Sequence, residues 1–305
     1  MRKTMLRKDL LLAPVVVIAW GMNFVVIKIG LDGVPPMLLG ALRFTLAAFP
    51  AVFFVRRPQL SLRWLLAYGL TISFGQFAFL FSAMYVGMPA GLASLVLQAQ
   101  AFFTLGLASL FLHERIRAQN IVGLVVAAAG LALIGMQGGH TMTVAGFLLT
   151  LCAAVSWALG NIVTKRVGKV DLVGLVVWAS LIPPLPFFAL SYVFEGPRQI
   201  AAALSGISAS SMFAVVYLAF VATLLGYGLW SRLLSLYPAS QVAPFSLLVP
   251  IIGLASASLL LGEQLSAAQI AGAAFVIMGL VINVSGGRMV QRLRVALLSS
   301  WDEGT

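Results

Sequence analysis

Apolar and polar positions alternate along this chain on a long period. Short polar or Pro/Gly-containing breaks divide it into ten apolar runs, at roughly 10–30, 35–55, 64–86, 89–112, 117–137, 143–165, 172–194, 211–233, 238–261 and 265–286. A helix needs about 20 apolar residues to cross a hydrocarbon core of about 30 Å. The pattern therefore predicts an all-α integral membrane protein with ten transmembrane helices. The connections are short, the longest being the Gly196 to Ser210 region, and none has room for a soluble domain.

The pattern is also written twice. A shift of 149 positions lays Pro89–Leu131 over Pro238–Leu280 without a gap, with 13 of the 43 paired positions identical. Pro89 falls on Pro238, Ser109 on Ser258, Glu114 on Glu263, Gly123 on Gly272 and Gly130 on Gly279. The opening helices match too, since Trp20 to Lys28 and Trp157 to Lys165 both set Trp and Lys eight apart. An internal repeat of this size predicts two equivalent units, 1–140 and 141–287, followed by a basic tail, 288–305.

Charge sets the orientation. The chain carries +11 net, but only 9% of its residues are charged, against about 25% in a soluble domain. No soluble basic face is available for a nucleic-acid partner; the bilayer is the partner instead. With the N-terminus inside, 16 of the 19 Lys and Arg residues fall in cytoplasmic segments, Arg198 falls in an external loop, and Lys28 and Arg43 lie within spans. Both termini are then cytoplasmic. Five spans per repeat is an odd number, so the second copy enters upside down, as an inverted repeat of the kind carriers use for alternating access. The basic N-terminus precedes a run too long for a signal peptide and without a small-residue cleavage site, so it reads as an uncleaved span. Cys152, the one cysteine, gives no intrachain disulfide or Cys-based metal site and reads as a small packing residue.

From about residue 10 to 286 the chain resembles the EamA-type transporters of the drug/metabolite transporter superfamily. The resemblance rests on W-G-x-N-F at Trp20–Phe24, on the Arg43-Phe44 pair, and on the paired motif Glu114, Asn120, Gly123, Gly130 and Glu263, Gln269, Gly272, Gly279. The segment Gly87–Phe103 is similar to the bacterial branch that exports cysteine and O-acetylserine. The resemblance implies ten helices in the bacterial inner membrane and export of small amino acids or related metabolites, with a broader drug/metabolite efflux carrier as the alternative. No cofactor is expected, and the oligomeric state stays open between monomer and dimer.

Several polar residues inside the spans are candidates for contact with cargo. Arg43 lies about eight residues, roughly 12 Å, from the outer end of its helix; it either docks a substrate carboxylate or holds two helices together through helix-end carbonyls or amide side chains. Trp20, Asn23 and Ile27 share one helical face, as do Trp157, Asn161 and Thr164. In the fourth helix Ser94 and Gln98 share a face, with Gln100 pointing roughly the other way. The corresponding region of the ninth helix has Pro244 and Pro250, which free backbone carbonyls. Gln76, Tyr68, Tyr217, Thr223, Tyr227 and Trp230 are further lining candidates. Lys28 and Lys165 end their helices as interface or gating residues. Seven glycines, Gly21, Gly91, Gly123, Gly226, Gly228, Gly253 and Gly272, read as close-approach points. Glu114 and Glu263 are expected to cap or anchor the joints between spans, carboxylates favouring the N-terminal turn of the helix that follows.

None of the eight acids falls near mid-membrane, and His113 and His140 lie at helix ends or in loops. That predicts export without a conventional proton-carrying carboxylate, and it disfavours cationic cargo. No His/Asp/Glu cluster, catalytic triad or phosphate loop suggests an enzyme or a metal site. A scaffold would have no use for polar side chains and prolines inside its spans. The tail, with Leu293, Leu297 and Trp301 on one side, fits the cytoplasmic interface or a solvated segment.

Overall fold

The computed structural model describes residues 11–136, 142–168, 170–237 and 239–302, with side chains as far as 284 apart from those at 239, 240 and 243. Ten of its helices are long and apolar enough to cross a membrane. They are α1 (Leu12–Leu31), α2 (Pro36–Phe53), α3 (Leu62–Tyr85), α4 (Ala90–Leu112), α5 (Ala118–Gly135), α6 (Val144–Val167), α7 (Leu172–Ser205), α8 (Ala209–Leu236), α9 (Pro244–Leu261) and α10 (Ala267–Val284). These follow the apolar runs closely except at two places. The stretch expected as the longest loop is helical instead over Gly196–Ser205, with no buried residue. The start of α9 is a 3₁₀ segment, Ala243–Leu248, because Pro244 has no N–H to give to an α-helical turn. The helix that contains α10 continues through the tail to Asp302; the tail's apolar side lies outside the described side chains.

The helices pair in a way that survives exchange of the two halves. α1 packs on α9 as α6 packs on α4, and α3 packs on α6 as α8 packs on α1. α2 with α7, α4 with α9 and α5 with α10 each pack on their own counterpart. Lipid is as apolar as a leucine side chain, so helices in a bilayer associate by close packing of small residues rather than by hydrophobic burial. The α5–α10 pair does this reciprocally. A Cβ on Gly123 would stand 2.6 Å from the Gly279 carbonyl oxygen, and one on Gly279 would stand 2.5 Å from that of Gly123. Gly130 and Gly272 repeat the arrangement at 2.5 and 2.8 Å. Gly228 has nothing within 4 Å of a built Cβ, so it is not the close-approach point its position suggested.

Two carboxylates tie the halves together. Glu263 accepts from the backbone N–H groups of Ala90 at 2.7 Å and Gly91 at 2.9 Å, at the start of α4. Glu195 does the same for Met37 at 2.6 Å and Leu38 at 3.1 Å, at the start of α2. Helix N-termini present unfilled N–H donors and a positive dipole end, which anions satisfy. The expectation that Glu263 caps the following helix is thus corrected: it caps a helix of the other half, while Ser266 caps its own by accepting from Gln269 N. Glu114 instead pairs with Lys165 at 2.7 Å, with both side chains nearly half exposed. Cys152 is exposed rather than packed in the core.

Candidate functional site

Between the halves lies a cavity of about 360 Å³. α1 contributes Trp20, Asn23 and Phe24; α2 contributes Arg43; α3 contributes Tyr68, Ile72, Gln76, Phe77 and Leu80. α4 adds Leu97, Gln98 and Gln100, and α6 adds Trp157, Asn161 and Thr164. Leu172 and Val176 of α7, Ala222, Tyr227, Trp230 and Leu234 of α8, and Ser246 and Val249 at the start of α9 complete the wall. The peripheral helices α5 and α10 contribute nothing to it.

The backbone departs from the regular α-helix where it meets this cavity. α3 is π-helical over Gly69–Gly75 and α8 over Tyr217–Leu225. Such turns widen a helix and release carbonyls from i→i−4 bonding, and they recur at functional sites. Backbone oxygens of these segments also accept from neighbouring helices: Ala222 O from Trp20 Nε1 at 3.0 Å, and Thr71 O, which keeps the Gln76 N–H, from Ser156 Oγ at 2.8 Å. Thr223 Oγ1, in the α8 π segment, gives its own proton to Leu218 O at 2.8 Å and accepts from Arg43 Nη2 at 3.1 Å.

Arg43 is buried, only 2% exposed. Its guanidinium carbon lies 3.9 Å from the Phe77 ring centre and 5.3 Å from that of Phe44. A smaller chamber of about 10 Å³, lined in part by Ser73, Ser180 and Thr223, adjoins it. Thr223, rather than an amide or a helix-end carbonyl, is the partner the side chain takes. No Asp, Glu or His lines the cavity among the described residues, so Arg43 is its one formal charge.

A second polar group sits on α4 and α6. Asn161 Nδ2 donates to Gln100 Oε1 at 2.9 Å and to Thr104 Oγ1 at 3.0 Å. Gln100, a lining candidate that an α-helix would point roughly the other way from Gln98, therefore reaches the same cavity as Gln98. The reason is local: Leu97–Ala99 is 3₁₀, and at three residues per turn two positions apart lie closer in angle than on an α-helix. Opposite, Trp20 packs on Tyr227 with ring centres 5.2 Å apart and on Trp230 at 5.4 Å.

Of the residues singled out from the sequence, Trp20, Asn23, Arg43, Gln76, Gln98, Gln100, Trp157, Asn161 and Tyr227 line this one cavity. Tyr68, Thr164 and Trp230 line it as well, whereas Ile27, Ser94, Tyr217, Thr223 and Pro244 do not. Ser94 is buried against α9, donating to Gly91 O at 2.6 Å and crowding Gly253. Tyr217 donates to Ala19 O at 3.0 Å and so fastens α8 to α1. Pro244 shapes the 3₁₀ start of α9, where Ser246 and Val249 supply the lining. Lys28 is half-buried in the last turn of α1, and Lys165 ends α6 in its ion pair with Glu114. Phe77, the ring against the guanidinium, had no signal in the sequence beyond being one of 20 phenylalanines.

Comparison with known proteins places these features. A "Probable amino-acid metabolite efflux pump" of Salmonella typhimurium is 52% identical over 96% of this chain and 100% of its own length. A protein of the same description from Escherichia coli is 49% identical over 95% and 99%. A "Probable terminal-alkyne amino-acid exporter" of Streptantibioticus cattleyicolor is 26% identical over 87% and 90%. One solved crystal structure, 20% identical, superposes with a TM-score of 0.61 over 90% of this chain and 96% of that one, which shows a shared fold. The EamA-like transporter family model matches twice, at residues 7–136 and 144–285. This multi-pass membrane protein belongs to the EamA-like transporter family.

Proposed function

We propose that this protein is an exporter of small amino acids and related metabolites across the bacterial inner membrane, working by alternating access. Its cavity is the cargo site, built from the residues named above. The two matched units, 7–136 and 144–285, are inverted five-helix repeats with both termini in the cytoplasm. The observation that carries this reading is a largely apolar cavity of about 360 Å³ between helices of both halves, with one guanidinium and several amide side chains in its wall, within a pairing pattern that is unchanged when the halves are exchanged. Pseudo-twofold symmetry of that kind gives inward-open and outward-open states of nearly equal energy, with cargo at the repeat interface. The loop charges support the orientation, and the descriptions of the relatives support the cargo.

Metabolite profiling of medium from cells with and without overexpressed protein tests the cargo, followed by uptake of labelled amino acids into inverted membrane vesicles. Protein-dependent accumulation of amino acids is expected. An unchanged medium together with no uptake above empty vesicles contradicts the reading.

A further inference from the structure

Five buried side-chain polar atoms have no partner among the described residues: Arg43 Nε, Arg43 Nη1, Asn23 Oδ1, Gln76 Oε1 and Thr45 Oγ1. Four of the five belong to residues that line the cavity. Arg43, Asn23 and Gln76 are 2%, 8% and 3% exposed, so bulk water does not satisfy them. A guanidinium carries five N–H donors; Arg43 uses one, on Thr223. Burying a charge this way is costly unless it is paired and hydrogen-bonded, and no carboxylate of the described chain lines the cavity to pair with it. The ring faces of Phe77 and Phe44 offset part of that cost but accept no N–H in the plane of the guanidinium.

The unfilled groups are of two kinds. Arg43 supplies donors with positive charge. Asn23 and Gln76 supply amide oxygens that accept and carry no charge. A ligand with a carboxylate alone leaves the amide oxygens unfilled, and one with an ammonium alone leaves the guanidinium unpaired. A ligand with both groups on one carbon offers a partner to each kind.

We propose that Arg43, Asn23 and Gln76 form a subsite that reads the charged α-carbon end of a zwitterionic amino acid, the guanidinium taking its carboxylate and the two amide oxygens its ammonium. The proposal deepens the exporter reading and rests on it. It makes the carboxylate the obligatory feature of cargo. It also makes the ammonium a neutral-acceptor contact, so that the loaded cavity keeps the single positive charge of the empty one and needs no proton to balance it.

Three of the cavity's walls are tryptophan, so binding to the intact protein in lipid nanodiscs can be followed by its fluorescence. The probes are L-serine, ethanolamine, which lacks the carboxylate, and N-acetyl-L-serine, which lacks the ammonium. Hydrogen bonds to a charged group correspond to about 10–100-fold in affinity. Native protein is expected to bind L-serine more tightly than ethanolamine by that factor, and more tightly than N-acetyl-L-serine by a smaller one. Arg43→Gln is expected to bring L-serine down to the ethanolamine level while leaving ethanolamine unchanged. Arg43→Lys, which keeps the charge but loses the fork, should fall between. Asn23→Leu with Gln76→Leu should remove only the preference over N-acetyl-L-serine. Equal weakening of all three probes by Arg43→Gln, an unchanged ratio, or no binding of any probe to the native protein overturns the proposal. If the ratios come out as expected but proteoliposomes do not move L-serine, the exporter reading fails and the subsite stands. If L-serine moves but Arg43→Gln leaves its selectivity intact, the subsite fails and the exporter reading stands.

Discussion

The third helix of the first half, α3, is π-helical over Gly69–Gly75, and its counterpart α8 is π-helical over Tyr217–Leu225; the 149-residue shift of the repeat lays one over the other. The fourth helices agree as well, 3₁₀ at Leu97–Ala99 in α4 and at Ala243–Leu248 in α9. What the halves place at these shared bends differs. α4 brings Gln98 and Gln100 into the cavity, where the paired positions of α9 are Leu247 and Val249. The α3 bend takes a serine hydroxyl from α6, while the α8 bend takes a tryptophan N–H from α1 and holds Arg43 through Thr223. Backbone irregularity is thus the duplicated part. It accompanies a helix pairing that is alike in both halves, whereas the side chains set at the bends differ between them.

The largest effect should come where the halves are most alike. Gly130 and Gly279 are repeat counterparts, each against a backbone carbonyl of the other half. Gly130→Val and Gly279→Val should each destabilise by about 3 kcal/mol or more, since neither backbone can retreat, and by similar amounts in thermal unfolding in detergent. A large loss for one and none for the other would break the equivalence of the halves.

Next come the carboxylates. Glu263→Ala removes two charge-assisted bonds to the N-terminus of α4 and should cost about 2–3 kcal/mol. Lys165→Met removes the exposed partner of Glu114, its counterpart in the repeat, and should cost less than about 1 kcal/mol. Comparable losses in the two variants would show that the exposed pair is stronger than its exposure allows.

The two asparagines separate stability from binding. Asn161→Leu strips Gln100 and Thr104 of their donor and should destabilise by about 1–3 kcal/mol. Asn23→Leu removes an oxygen that has no partner, so it should leave unfolding unchanged or later while weakening cargo binding. The smallest expected effect is that of a pH gradient. With no Asp, Glu or His in the cavity among the described residues, an inward- or outward-directed gradient should drive no uphill accumulation in proteoliposomes.

The ten spans were legible because bilayer thickness fixes how many apolar residues a crossing helix needs. The shared faces of Trp20 with Asn23 and of Trp157 with Asn161 were legible from helical periodicity, and both pairs line the cavity. Gln100 was a candidate too, but its direction relative to Gln98 was not legible, because the angle rule assumes an α-helix and Leu97–Ala99 is 3₁₀. Ser94 and Tyr217 look like lining residues in sequence, being polar within apolar runs. What turns them to Gly253 and to Ala19 O is the neighbouring helix, and periodicity carries no information about the neighbour. The same limit hid the reach of Glu263 to the start of α4, a contact across 173 positions.

A counterflow measurement tests the central claim most directly. Purified protein in liposomes is preloaded with unlabelled L-serine, and entry of labelled L-serine is compared with that into empty proteoliposomes. A carrier whose cavity opens to one side at a time returns faster loaded than empty, so preloading is predicted to accelerate entry of label and to produce a transient accumulation above equilibrium. Entry that preloading does not accelerate, or no protein-dependent entry at all, contradicts transport through this cavity by alternating access.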